Sequence, residues 1–138
     1  MMANQSHKAR LVVKGFKQQQ GIYFDEIFPP VVKMTTLHCV LALVAKEDME
    51  LVQMDVKTMF LHGDLHEDIY MQQVVKGKEH LVCKLKKSLY GLKQALRKWY
   101  HKFHTFMFSQ GYRQSGIDHC LYKASQKKGL VDFDPLCG

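Results

Sequence analysis

The stretch Leu51-Val-Gln-Met-Asp-Val-Lys-Thr-Met-Phe-Leu61 holds one carboxylate, Asp55, within an apolar run of strand character, and an aromatic, Phe60, follows. Strand alternation puts Gln53 and Asp55 on one face and Met54 and Val56 on the other. A carboxylate in an apolar setting is costly unless a cation or a hydrogen-bond donor meets it. A partner for Asp55 is therefore expected, and a divalent metal carrying a phosphate is one candidate.

Around this strand, expected over residues 51–56, other elements follow from periodicity. Leu37, Val40, Leu41, Val44 and Ala45 share one face of an α-helix, with Thr35 or Thr36 able to cap its start and an end near Lys46 to Asp48. A short strand is expected over residues 10–13 and a loop between Gly15 and Gly21. Pro29-Pro30 favours extended chain. After 51–56, His62-Gly63-Asp64 reads as a turn, residues 68–72 as a return strand and residues 81–85 as another strand. Tyr90-Gly91 opens a second helix, with Leu92, Ala95, Leu96, Trp99, Phe103, Phe106 and Met107 on one broad face and Gly111 after its C-terminus. A last strand is expected over residues 120–122. The order implies an α+β fold, a small, mainly antiparallel sheet packed on two main helices. Residues 1–124 form the expected domain, and residues 125–138 an unpatterned tail.

Composition fits a single globular domain: 138 residues, 46% hydrophobic and 24% charged. No apolar run reaches the roughly 20 residues of a membrane span, and no signal peptide is read at the start. An intracellular protein that does not meet a membrane is expected. Cys39, Cys83, Cys120 and Cys137 lack zinc spacing. The net charge of +7 is uneven. Residues 48–68 carry six acids and one base, whereas residues 76–102 carry nine bases and one acid. That asymmetry suits a polyanion partner beside an acidic region, and a solvated basic face is the plain alternative.

Several motifs stand in a recognisable order. Lys8-Ala-Arg-Leu-Val-Val-Lys-Gly-Phe16 and Asp25-Glu-Ile-Phe-Pro-Pro-Val-Val32 precede the Asp55 stretch. Ile69-Tyr-Met71 and Val82-Cys-Lys-Leu-Lys-Lys-Ser-Leu-Tyr-Gly-Leu-Lys-Gln-Ala95 follow it, then Trp99-Tyr100, Gly111-Tyr112 and Asp118-His-Cys120. Together they resemble the reverse transcriptases of copia-type retrotransposons, in their fingers and part of their palm. The resemblance implies RNA template, DNA primer and deoxynucleotide as partners, and two magnesium ions for nucleotidyl transfer. It implies Asp55 and the backbone carbonyl of Val56 as metal ligands, Asp55 being the catalytic carboxylate. It places Lys8, Arg10 and Lys14 toward the triphosphate, Phe60 under the incoming sugar, and Tyr90 and Gly91 against nucleotide and template. Lys86, Lys87, Lys93, Arg97 and Lys98 form the implied nucleic-acid-binding stretch.

The departures from that pattern matter as much. The family's second carboxylate pair lies in a Tyr-x-Asp-Asp hairpin, and no such sequence occurs here. Val131-Asp-Phe-Asp134 is a poor substitute because Pro135 follows at once. Gln72-Gln73 runs directly into Val74, as after a short deletion. Leu96 and Met59 stand where the family has proline and alanine, and Met59 is expected to crowd the nucleotide site. Three readings follow. The chain is a partial polymerase, inactive alone; a basic nucleic-acid-binding remnant without catalysis; or a pseudogene product without selected function.

Overall fold

The computed structural model describes residues 9–72, 75–78, 80–124 and 130–132. Lys8, the junction at Gln73 and Val74, and most of the segment 125–138 lie outside the described residues. Among the described residues two helices, α1 (Met34–Lys46) and α2 (Ala95–Ser109), stand with two small antiparallel sheets. One sheet is the hairpin of β1 (Tyr70–Gln72) and β2 (Val82–Lys84), and the other has the order β3 (Tyr112–Gln114), β4 (Leu121–Ala124), β5 (Leu130–Asp132). Short 3-10 turns occupy Gly15–Lys17 and Met59–His62. The α+β class is as expected. β5 falls in the segment expected to be unpatterned, where it pairs with β4 through Val131 and Tyr122.

The largest departure concerns residues 51–56, which form no strand. All six are exposed, Met54 most of all at 81%. Alternation makes a segment able to pair, but a strand exists only with a partner for its N–H and C=O groups. The return strand, β1, instead pairs with β2 in the register Tyr70 to Lys84, Met71 to Cys83 and Gln72 to Val82. Residues 10–13 likewise make one parallel bridge, Val12 to Tyr90, rather than a strand.

Helix α1 forms where its periodicity predicts, yet none of its residues is fully buried. Its cap is not local. Neither Thr35 nor Thr36 is the N-cap, which is Lys33, and Lys33 offers no side-chain cap. The Asp118 carboxylate takes that role from 85 residues away, accepting the Lys33 backbone N–H at 3.0 Å. Its other oxygen accepts the Cys120 N–H at 2.9 Å. Burial pushes the Asp118 carboxyl up, but these N–H donors and the Thr36 hydroxyl outweigh it and hold it below its usual range. A lowered folded-state value contributes stability at neutral pH that is lost as pH falls below about 4. Asp118→Asn is therefore expected to lower stability at pH 7 by about 1–2 kcal/mol, because an amide puts a donor against a donor. In urea titrations the gap to the wild type should narrow toward pH 3; a gap independent of pH would remove the charge from this account.

Helix α2 begins at Ala95, after a turn through Gly91, rather than at Tyr90. It buries Ala95, Trp99, Tyr100 and Met107, whereas Phe106 stays 56% exposed. The buried face is thus rotated from the expected one, toward Tyr100. The β3–β4 pair causes this: the Tyr100 hydroxyl accepts a hydrogen bond from Gln114 of β3 at 2.7 Å. Gly111, with φ +82°, follows the C-cap residue Gln110 and donates to the Phe108 carbonyl at 3.0 Å, as its position predicts. The core has two parts along this helix. Ile69, Leu92 and Ala95 pack with Val13, Phe60, Leu65 and Leu85. Cys120 and Tyr122, both fully buried, lie toward the other end, where Phe103 meets Tyr122 edge to face at 5.7 Å.

Candidate functional site

Two chain crossings build the region around Phe60. The Val13 N–H donates to the Tyr90 carbonyl at 2.7 Å, which brings the N-terminal segment against the turn before α2. The approach is close enough that a Cβ on Gly15 would lie 1.8 Å from the Gly91 carbonyl oxygen. Through this crossing the Arg10 guanidinium sits 5.5 Å from the centre of the Tyr90 ring. The second crossing is the 3-10 turn Met59–His62, which sets the Phe60 ring 5.4 Å from that of Tyr90, edge to face. Arg10, Phe60 and Tyr90, implied separately as nucleotide contacts, therefore form one cluster. Cation–π and edge-to-face geometry both favour such an arrangement.

Thr58 precedes this turn in the left-handed region, at φ 57°. A β-branched residue there is strained, and such strain persists only where the surroundings impose it. Met59 is buried at 6% exposure, so its extra volume is accommodated in the core. Asp55 and Val56 precede Thr58, and both are exposed. The burial that would demand a partner for Asp55 is absent, because residues 51–56 have no strand beside them.

Gln18 and Gln94, which composition does not single out, hold the crossing together. Gln18 Nε2 donates to Gln94 Oε1 at 3.0 Å, and Gln94 Nε2 donates to the Tyr23 carbonyl at 3.0 Å. Gln18 Oε1 also accepts the Lys93 backbone N–H at 2.9 Å. Gln94 is 1% exposed, so its amide needs these partners. Beside this network a cleft of about 390 Å³ is lined by Lys14, Lys17, Tyr23 and Tyr70 among others; Asp55, Phe60 and Tyr90 are not in its lining.

The basic stretch is largely committed within the chain. Lys93 Nζ lies 5.1 Å from the Phe24 ring centre. Arg97 pairs with Glu26 and donates to the Phe28 carbonyl at 2.9 Å. Lys98 meets Glu67 at 2.7 Å, Lys102 meets Asp64 at 3.0 Å and Lys84 meets Asp68 at 2.5 Å. Lys86 and Lys87 are exposed and have no ion pair among the described residues. The carboxyls answer to these contacts. The Lys102 hydrogen bond and charge hold Asp64 below its usual range. Burial pushes Glu67 up, but the Lys98 hydrogen bond and nearby backbone N–H groups outweigh it and leave it lowered. The Asp68 contact raises Lys84. Charge runs locate the two signs in the sequence; their mutual pairing appears only in three dimensions.

The chain belongs to the reverse transcriptase family: the model of the reverse transcriptase (RNA-dependent DNA polymerase) domain matches residues 1–131. Within it, the chain is of the copia type. It is 62% identical over 120 residues to the retrovirus-related Pol polyprotein from transposon TNT 1-94 of Nicotiana tabacum, covering 84% of this chain and 9% of the relative. It is 39% identical over 129 residues to that from transposon RE1 of Arabidopsis thaliana, covering 91% of this chain and 9% of the relative. The transposon Ty1-BL Gag-Pol polyprotein of Saccharomyces cerevisiae is 30% identical over 123 residues, or 88% of this chain and 7% of the relative. The chain thus spans less than a tenth of the length of these relatives. No solved structure matches it. Among the described residues no helix is long and apolar enough to cross a membrane.

Proposed function

We propose that this chain is a fingers-and-partial-palm portion of a retrotransposon RNA-directed DNA polymerase, which contacts template and incoming deoxynucleotide but does not polymerise alone. The gathering of Arg10, Phe60 and Tyr90 at 5.4–5.5 Å carries this reading. In it, Phe60 supports the sugar, Tyr90 and Gly91 face the base and template, and Arg10 with Lys8 and Lys14 neutralises phosphate. Lys86 and Lys87 contribute open cations to the template path.

Magnesium takes oxygen ligands and leaves coordination places for substrate phosphates. Asp55 and the Val56 carbonyl are oxygen donors of that kind. Among the described residues, however, no three His, Cys, Asp or Glu side chains gather where an ion could be held. The donors among the described residues do not make up a two-ion set. Primer extension on a homopolymer RNA template should accordingly give no product with the purified chain. Extension that vanishes in Asp55→Asn would overturn the inactivity. Template contact is read separately, from RNA binding that weakens as salt rises; a flat salt response would overturn it.

A further inference from the structure

Three ion pairs join one short loop to one cationic face. Asp64, Glu67 and Asp68 lie between the 3-10 turn Met59–His62 and β1, and they meet Lys102, Lys98 and Lys84 respectively, at 3.0, 2.7 and 2.5 Å. The loop is held against its partner segment by backbone contacts too. Asp64 bridges to Lys87, and the Leu65 N–H donates to the Lys86 carbonyl at 3.3 Å. Two of the three pairs are open to water: the side chains of Lys84 and Asp68 are 53% and 65% exposed, and those of Lys102 and Asp64 are 42% and 55% exposed. Exposed pairs of this kind are weak and exchange readily with other anions. The Lys98–Glu67 pair is more enclosed, at 19% and 32%.

We propose that the loop carrying Asp64, Glu67 and Asp68 is a displaceable internal counter-anion, so that it and a nucleic-acid phosphate backbone compete for the ammonium groups of Lys84, Lys98 and Lys102. The inference rests on the nucleic-acid contact proposed above and adds a control over it. Lys86 and Lys87, already open, provide first contact, and the three paired lysines engage once phosphates replace the carboxylates. The free chain thereby keeps most of this face neutral, while a long polyanion gains contacts that a short one does not.

The test compares the wild type with Asp64→Asn/Glu67→Gln/Asp68→Asn in binding to a homopolymer RNA across a salt series. A second triple variant, Asp25→Asn/Asp48→Asn/Glu50→Gln, makes the same change in net charge at carboxylates without an ion pair among the described residues. All three proteins neutralise the same phosphates once bound, so their salt slopes should be parallel. The loop variant is spared the opening of three ion pairs, so at about 50 mM salt it should bind about tenfold more tightly than the wild type. The distant variant, which opens no ion pair, should gain at most about a few-fold from its net charge. Equal gains in the two variants would overturn the competition while leaving RNA contact intact. Absence of binding in all three would overturn both. Should the loop variant not fold, carboxyl carbon shifts in the wild type decide. Added RNA should move Asp64, Glu67 and Asp68 toward the signals of unpaired carboxylates, and unmoved signals in the bound state would overturn the proposal.

Discussion

Gly91→Ala is expected to destabilise the chain by about 2–4 kcal/mol, enough to unfold much of a marginally stable domain. Two independent effects combine. Gly91 has φ +91°, where any L side chain is strained. Its added Cβ would also lie 2.2 Å from the Val13 carbonyl oxygen and 2.9 Å from Val12 Cγ1. The first of these neighbours is backbone, and it cannot retreat without breaking the 2.7 Å hydrogen bond from Val13 to Tyr90. Gly21→Ala separates the two effects, because Gly21 has φ +80° with nothing within 4 Å of an added Cβ. It should cost only the strain, about 1 kcal/mol. Urea midpoints for the two variants check this. Equal losses would mean that the crossing of the two segments is not tight. Gly91→Ala should also separate Arg10 from Tyr90, so RNA binding measured at low temperature reports the same contact by a second route.

What the sequence reveals of this molecule depends on how far apart the cooperating residues lie. The face of α1 is legible because Leu37, Val40, Leu41 and Val44 repeat within one helix. Its cap is illegible because Asp118 lies 85 residues from Lys33. Residues 51–56 have the alternation of a strand, but alternation says only that a segment can pair. The β1–β2 hairpin satisfies its own ladder and leaves them exposed. β3 is illegible for a related reason: Tyr112-Arg-Gln114 is too short to show a period, and its pairing with β4 is set by register. Along α2, hydrophobicity favours Phe106 over Tyr100 for the buried face, whereas Tyr100 is buried and hydrogen-bonded to Gln114. At the candidate site, the resemblance implies Arg10, Phe60 and Tyr90 singly, and the fold brings them together. The basic stretch shows the reverse. Its composition suits either a polyanion surface or a solvated basic face, whereas Glu26, Asp64, Glu67 and Asp68 already engage four of its cations.

Tyr122→Ala should be the most damaging single truncation, at about 3–5 kcal/mol. Tyr122 is fully buried in the middle strand of its sheet, opposite Gln114 on one side and Val131 on the other. Its ring meets Phe103 of α2, and its hydroxyl lies 2.9 Å from His104 Nδ1. Removing the ring opens a cavity between sheet and helix and leaves His104 without this partner. Tyr122→Phe keeps the packing and loses the hydroxyl's hydrogen bonds with His104 and Tyr100, so about 1–2 kcal/mol is expected. A loss below 1 kcal/mol for the alanine variant would show that the sheet is not seated on α2. The phenol adds a pH signature. Burial, with the hydrogen bond and charge of Tyr100, raises the Tyr122 hydroxyl above the usual tyrosine range. A raised folded-state value means stability that is complete below the unfolded value and lost as pH climbs above about 10. The wild type should therefore weaken more steeply than Tyr122→Phe between about pH 9.5 and 11, because only its unfolded chain can ionise that phenol freely. Parallel alkaline profiles for the two proteins would place the hydroxyl in contact with water and remove the sheet–helix junction as its setting.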